Sequence, residues 1–361
     1  MSELITKFDS WLADAGPAAL VAREHLIPVE GRDGVLFPAT YAASQDGSFG
    51  GGYNIDSFNE TENVCLIDSA GSQANRIEPL FAKSEYADLV PQVTIKAGEK
   101  LVNLLEAGHR AGDAIVRCSA LQEDLRAAFI AAQNGDAEPL AKIAPTSLVF
   151  GVWDSRDTGA KLPRLIASTI RAFNVRELRR SAQYIPAAEY VNTGLLEEPA
   201  DKKTSDAYAE RGFVHVPASG NPGGVIATGG IRRDASLHLA ALRLLCANSE
   251  VRTLALRRYI LGLALTAFTY PPTGYLRQGC NLVLDPDKPR EFVEVYGDGR
   301  RVPAGVTHPE ALEYARAAAN DFAVGPNRAV DFDRVRAKRD ISGDPDGSER
   351  RSKKSRNRNA D

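Results

Sequence analysis

The hydrophobic positions of this chain fall into blocks separated by runs of Gly, Pro, Asn and Asp, and the spacing within each block predicts its secondary structure. Residues 4–24 carry apolar side chains at helical spacing and predict a first amphipathic helix ending before Pro28. Gly47–Tyr53 (GSFGGGY) predicts a flexible loop. Asn63–Ser69 (NVCLIDS) predicts a short strand, followed by a helix over Ser72–Phe81. Helical spacing returns at Lys100–His109 and Ala120–Asn134. Leu148–Val152 reads as a strand and Lys161–Phe173 as a helix. The polar stretch Thr193–Gly230 is rich in turn formers, with one short β run at Phe213–Val216. A loop of that length inside a compact protein is functional or disordered. Two apolar helices follow, Ala235–Ala247 and Val251–Phe268, and Asn281–Leu284 and Glu291–Tyr296 read as closing strands. From about Lys338 almost no apolar residue remains, which predicts a disordered tail over 338–361. Strands and helices do not alternate evenly, so the expected class is α+β rather than a doubly wound sheet.

One internal echo organises the middle of the chain. NVCLIDSAGSQANRIEPLF (63–81) and LVFGVWDSRDTGAKLPRLIASTI (148–170) both run apolar strand, Asp-Ser, Gly turn and basic helix. An Asp-Ser at the end of a strand supplies an N-cap for the helix after it. Two such units are expected to bring polar groups to one edge of a sheet.

Composition narrows the class. At 361 residues, 43% hydrophobic and 25% charged, the chain has the makeup of a globular protein of one large domain or two. Its four cysteines, Cys65, Cys118, Cys246 and Cys280, form no CxxC, and its five histidines give no metal-binding spacing. No zinc site, metal or disulfide framework is expected. The first residues lack the basic start and apolar core of a signal peptide. The most hydrophobic run, Tyr259–Tyr270, falls short of the roughly 20 residues a bilayer-spanning helix needs. The expected location is the cytoplasm, without membrane contact.

Charge is the sharper signal. The net charge is -3, yet Arg156–Arg180 contains seven Arg/Lys against Asp157 and Glu177, a local excess of five positive charges. The tail from Lys338 adds eight Arg/Lys against five acids. A concentrated positive segment on an acidic protein calls for an anionic partner, and a phosphate backbone is the expected one. Laid on a helix, Lys161, Arg164, Ser168 and Arg171 share one face and Leu162, Leu165, Ile166, Thr169, Ile170 and Phe173 the other, with Pro163 in the first turn. A solvated surface helix is the alternative.

Three further clusters are compatible with phosphate binding. Ser69–Arg76 places Ser72, Gln73, Asn75 and Arg76 at a turn-to-helix junction, either gripping phosphates or sugars or simply capping a solvated helix. Gly229–Asp234 puts a Gly pair before Arg232 and Arg233; the plain turn with two surface arginines is an equal alternative. Gly274–Gly279 contains Arg277, Gln278 and an aromatic able to stack on a base. Asp157-Thr158-Gly159 imitates an aspartic-protease turn, but the chain has no second copy, and such enzymes need two carboxylates.

The runs VCLIDSAGSQANRIE (64–78), FGVWDSRDTGAKLPRLIASTIRA (150–172), GGIRRDASLHLAALRLL (229–245) and LRQGCNL (276–282) together resemble one family. It is the CRISPR-associated RAMP protein that forms the backbone of the type I-U (I-G) Cascade complex, with the likeness spread over roughly residues 25–300. The resemblance implies a modified RRM-like, ferredoxin-like palm over 1–337 with finger and thumb insertions; length and polarity alone make 193–230 the candidate thumb. It implies a non-catalytic subunit without cofactor that assembles head to tail along CRISPR RNA and presents the guide for pairing with target DNA in antiviral defence. The other implied partners are a guide-processing subunit, a large subunit and a recruited helicase-nuclease. Ser72, Gln73, Asn75, Arg76, Lys161, Arg164, Ser168, Arg171, Arg232, Arg233, Arg277 and Gln278 become the candidate RNA-binding residues. Type III relatives cut RNA with a loop Asp and a metal, so a metal-dependent nuclease using Asp154 or Asp157 is the alternative; a structural role for Asp154 as a cap or an arginine partner is the expectation.

Overall fold

The computed structural model describes residues 2–59, 61–271 and 274–342. Its frame is one antiparallel sheet. The strands that matter are β1 (Ala19–Pro28), β2 (Asn63–Asp68), β3 (Ile166–Phe173), β4 (Val175–Tyr184), β5 (Val216–Ala227), β6 (Ile231–His238), β7 (Cys280–Leu284) and β8 (Glu291–Val295). The helices that matter are α1 (Ala70–Ile77), α2 (Gln122–Gln133), α3 (Thr146–Phe150), α4 (Lys202–Glu210), α5 (Glu250–Thr269) and α6 (His308–Phe322). β1 pairs with β6, β6 with β3 and β3 with β2, all antiparallel. The other edge of β1 takes β8 along residues 19–23 and β7 along 26–28.

One face of this sheet is buried and the other half-open, as period-2 alternation requires. Leu20, Ala22, Glu24 and Leu26 of β1 point inward, with Ile231, Arg233, Ala235 and Leu237 of β6 and Ile166, Ser168, Ile170 and Ala172 of β3. The inward face carries two separate apolar clusters. The larger joins Leu20, Ala22, Ala235, Leu237 and Ile166 to the helices. The smaller joins Leu26, Ile231, Ile170, Ala172, Cys65 and Ile67 to Leu36 and Val225. Where the two clusters meet, the polar residues Glu24, Arg233 and Asp68 share one cross-strand row with Ile170. Glu24 lies opposite Arg233, Arg233 opposite Ile170, and Ile170 opposite Asp68. Ser168 sits one step away, opposite Ala235.

α5 is apolar on every side over Tyr259–Thr269 and is buried accordingly. α6 starts with a capping box, Thr307 and Glu310 satisfying each other's backbone N–H groups. The two helices approach closely at Gly262, where a Cβ would lie 2.8 Å from Cα of Ala315. The Tyr259 and Phe322 rings stack at 4.6 Å in the same interface. No helix among the described residues is long and apolar enough to cross a membrane.

β4 and β5 pair as a long arm that leaves the sheet between β3 and β6. Leu36 pairs with Val225 at its base, and Gly224 donates its N–H to Tyr53 Oη there at 2.9 Å. α4 lies between the two strands in sequence, capped by Asp201 and without a buried residue. Phe213 packs edge-on to Tyr190 and Tyr208, giving the far end of the arm an aromatic cluster of its own.

Several expectations from the sequence are corrected. Residues 4–24 form two short helices, Ser2–Thr6 and Asp9–Leu12, before β1, and Pro28 closes that strand. Lys100–His109 is a strand, Lys100–Asn103, followed by 3-10 turns. Leu148–Val152 is mostly α3, which ends at Gly151 (φ +77°). Lys161–Phe173 is β3 preceded by the two-residue strand Lys161–Leu162, so its cations share no helical face. Ala235–Leu237 belongs to β6, and helix starts only at Leu239. Thr193–Gly230 is not a plain loop, because it holds α4 and all of β5. The echo between 63–81 and 148–170 is therefore one of residues and not of structure. A helix over Arg334–Ser342 covers the start of the expected tail. The rest of that expectation, 343–361, lies outside the described residues. Strand 63–68, the helices near 122 and 250, and strands 280 and 291 stand where the pattern put them.

Replacing Gly262 with Val forces the backbones of α5 and α6 apart. The expected loss is at least about 2 kcal/mol of unfolding free energy, the scale of core overpacking, measured by urea denaturation with an unchanged m-value.

Candidate nucleic-acid interface

The junction of β2 and α1 is built around one buried carboxylate. β2 ends at Asp68, and Ser69 caps α1 by accepting from the Ser72 N–H at 3.2 Å. The Asp68 side chain has no solvent exposure. Its Oδ2 accepts from Gln73 Nε2 at 2.6 Å and from Arg76 Nε at 3.1 Å. Its Oδ1 faces Arg277 Nη2 at 3.4 Å, and Arg277 Nη1 lies 3.4 Å from the Ile67 carbonyl. Gln73 in turn accepts from Ser168 Oγ at 3.0 Å. Gln73 and Ser168 are buried, whereas Arg76 and Arg277 remain 34% and 26% exposed at their side chains. The candidates Gln73, Arg76, Ser168 and Arg277 thus meet in one network, although they come from three distant segments.

A second buried pair adjoins it. Arg110 holds Glu78 at 2.6 Å, donates to Asn75 Oδ1 at 3.0 Å and to the Gly151 carbonyl at 3.3 Å, and lies over the Phe150 ring. Burial pushes the Glu78 carboxyl up to about 7, against the pull of Arg110. Arg164 reaches across from the segment before β3, so that a Cβ on Gly71 would sit 3.6 Å from its guanidinium. An exposed arginine therefore lies over the first turn of α1, beside half-buried Ser72. Such a turn presents free backbone N–H groups and the positive end of the helix dipole.

The remaining candidates lie elsewhere. Arg171 and Arg232 face each other across β3 and β6 on the half-open side of the sheet. Arg232 covers the Phe173 ring at 4.9 Å and donates to Asp234 at 2.9 Å, while Arg171 donates to Thr169 at 2.7 Å. Lys161 lies 5.4 Å from the exposed ring of Trp153 on a small two-stranded hairpin. Arg233 is buried beside Glu24 at 3.1 Å and points away from solvent. Gln278 is exposed in the turn between Tyr275–Arg277 and β7.

The charge excess over 156–180 takes a definite form. Among the described residues, no carboxylate lies within ion-pair reach of Arg156, Lys161, Arg164, Arg171, Arg176, Arg179 or Arg180. Arg171 is half-buried and the other six are exposed. Many of the arginines outside this segment are bound to an acid, as Arg23 is to Asp234 and Arg258 to Asp9. Asp157 itself binds Arg126 at 3.1 Å. Asp154 is buried and accepts from the Thr158 N–H and hydroxyl at 2.9 and 2.7 Å, which makes it the lock of its turn. No group of three or more metal-ligating side chains occurs among the described residues.

Three contributors escaped the sequence reading. Asp68 carried a visible signal, the Asp-Ser step before a helix, but only its capping sense was drawn from it. Phe173 falls on the apolar face of a helical 161–173, and in β3 it lies on the half-open side of the sheet instead. Arg110 left no trace, since its partners are 32 to 41 residues away in sequence.

Residues 20–177 match the family model of CRISPR-associated protein GSU0053. The matched span runs from β1 through the β2–α1 junction and β3 into β4, and so contains the Asp68 network except for Arg277. No curated protein matches the chain.

The Arg110–Glu78 pair gives a stability test. Arg110→Met strands a buried carboxylate and is expected to cost about 3 kcal/mol, whereas Arg110→Met with Glu78→Met recovers most of that loss. Urea denaturation of both variants checks it.

Proposed function

We propose that this chain, a CRISPR-associated protein of the GSU0053 type by its match over residues 20–177, holds CRISPR RNA as a non-catalytic backbone subunit of a type I-U (I-G) Cascade effector. The observation that carries the reading is that, among the described residues, none of the seven cations over 156–180 is ion-paired with an acid. An acidic chain that leaves this dense basic segment unneutralised has that charge available for a polyanion. Contacts of this kind go to phosphates and do not read bases, which suits a guide of arbitrary sequence.

Topology supports an RRM-like, ferredoxin-like palm. The order β8-β1-β6-β3 reads 4-1-3-2 in chain order, with α2 and α3 between the first two strands and α5 between the last two. Ferredoxin-like units are built on a split βαβ of this type. The β4–β5 arm with α4 fills the role of the thumb. It starts at Val175, earlier than the 193–230 segment chosen from polarity. In this reading copies assemble head to tail along the RNA in the cytoplasm. Target DNA is reached through the guide, and the remaining Cascade subunits and the helicase-nuclease are partners. The metal-dependent nuclease is not favoured, because Asp154 and Asp157 are both engaged within the protein.

The test is single-stranded RNA of guide length, titrated by fluorescence anisotropy at several salt concentrations. Two unrelated sequences are expected to bind alike. The Lys161→Ala/Arg164→Ala/Arg171→Ala variant is expected to keep its circular dichroism spectrum and to lower the slope of log affinity against log salt by about 2, at roughly 0.7 per phosphate contact. A variant that binds as tightly as the parent at physiological salt overturns the reading.

A further inference from the structure

We propose that Arg76 and Arg277 form a clamp for one phosphate of bound single-stranded RNA, and that the buried acid Asp68 acts as its positioning residue. The proposal rests on the guide-binding reading and adds to it a defined phosphate site with an acidic residue at its base. The geometry starts from a mismatch in charge. One carboxylate faces two guanidiniums, one on each of its oxygens, so the cluster keeps a positive charge after its internal pairing. Arg76 uses its Nε toward Asp68, and both of its terminal nitrogens remain for a ligand. Arg277 lies along Asp68 and the Ile67 carbonyl with contacts of 3.4 Å, at the long end of the hydrogen-bonding range. The two side chains keep 34% and 26% of their surface in water while their carboxylate partner has none. Guanidiniums are forks suited to phosphate oxygens, and a fork fixed in advance loses less entropy on binding.

Asp68 is itself fixed. Gln73 donates to it from the first turns of α1, and Ser168 of β3 holds the far end of Gln73. The candidates Gln73 and Ser168 therefore act from behind, through Asp68, while Arg76 and Arg277 are the groups that face a ligand. Simple electrostatics makes the opposite forecast for the acid, because deleting a negative charge beside a phosphate site should tighten binding. The sign of that effect separates a positioning acid from an incidental one.

The experiment uses the full chain and a fluorescein-labelled oligouridine in a salt titration. Arg76→Ala and Arg277→Ala are each expected to weaken binding about tenfold and to lower the salt slope by roughly 0.7. Their double variant is expected to lose less than the product of the two, since both act on one phosphate. Asp68→Asn is expected to weaken binding although it raises the net charge by one. Equal or tighter binding by Asp68→Asn overturns the positioning role. Should Asp68→Asn fail to fold, the arginine cycle decides, and strictly multiplicative effects or none overturn the clamp. A parent chain that ignores oligouridine overturns both the clamp and the guide-binding reading. A parent that binds and loses binding with Lys161→Ala/Arg164→Ala/Arg171→Ala, yet is indifferent to Arg76→Ala and Arg277→Ala, overturns the clamp alone.

Discussion

A buried acid that carries two arginines occurs twice in the sheet, and the layout of the protein follows from it. Glu24 holds Arg233 at 3.1 Å and Arg290 at 2.8 Å, and Asp68 holds Arg76 and Arg277. The two acids belong to one row across β1, β6, β3 and β2. Ions of this kind are expensive to bury, and the penalty is met only where the remaining donors are engaged or reach water. That condition dictates the surroundings. The inward face carries two apolar clusters, with Glu24, Arg233 and Asp68 in the row where they meet. Arg290 on Glu24, and both Arg76 and Arg277 on Asp68, stay partly in water.

The consequence for function is rigidity at a place where the protein is positively charged. Surface arginines are mobile and their ion pairs contribute little. An arginine tied to a fully buried carboxylate is held in one place, and the helix that bears it is held with it. α1 gains from this through Gln73 and Arg76 on its inner side, while the Ser69 cap holds its start separately. Arg110, on Glu78 and Asn75, secures its far end. The exposed Arg164 then lies over a helix terminus that cannot drift.

Polar residues at inward positions also explain what could be read from the sequence. β2, β7 and β8 show continuous or alternating apolar runs and were legible as strands. β1, β3 and β6 each place a polar side chain at an inward position: Glu24, Ser168 and Arg233. That single residue breaks the alternation in each strand, and the remaining apolar residues then fit a period of 3.6 as well as 2. All three were read wholly or partly as helix. The candidate residues were found because they are arginines and small polar groups near glycines. Their grouping was not legible, since it depends on β3 lying between β2 and β6, a pairing that no local pattern encodes.

A strand reading of 166–173 also changes what the basic segment means. On a helix its cations would have formed one stripe. On the sheet, Arg171 belongs to the half-open face with Arg232 and Phe173, Arg164 to the α1 terminus, and Arg176, Arg179 and Arg180 to the arm. The positive charge is therefore spread from the edge of the sheet onto the first strand of the arm. Segregated acids elsewhere in the chain keep the net charge negative without neutralising this track. A long track with few base-reading groups suits an extended strand of phosphates better than a compact anion. Its ends are set by the two structures that frame it: the Asp68 junction, where arginines are held fast, and the aromatic cluster around Phe213, where the arm folds back on itself.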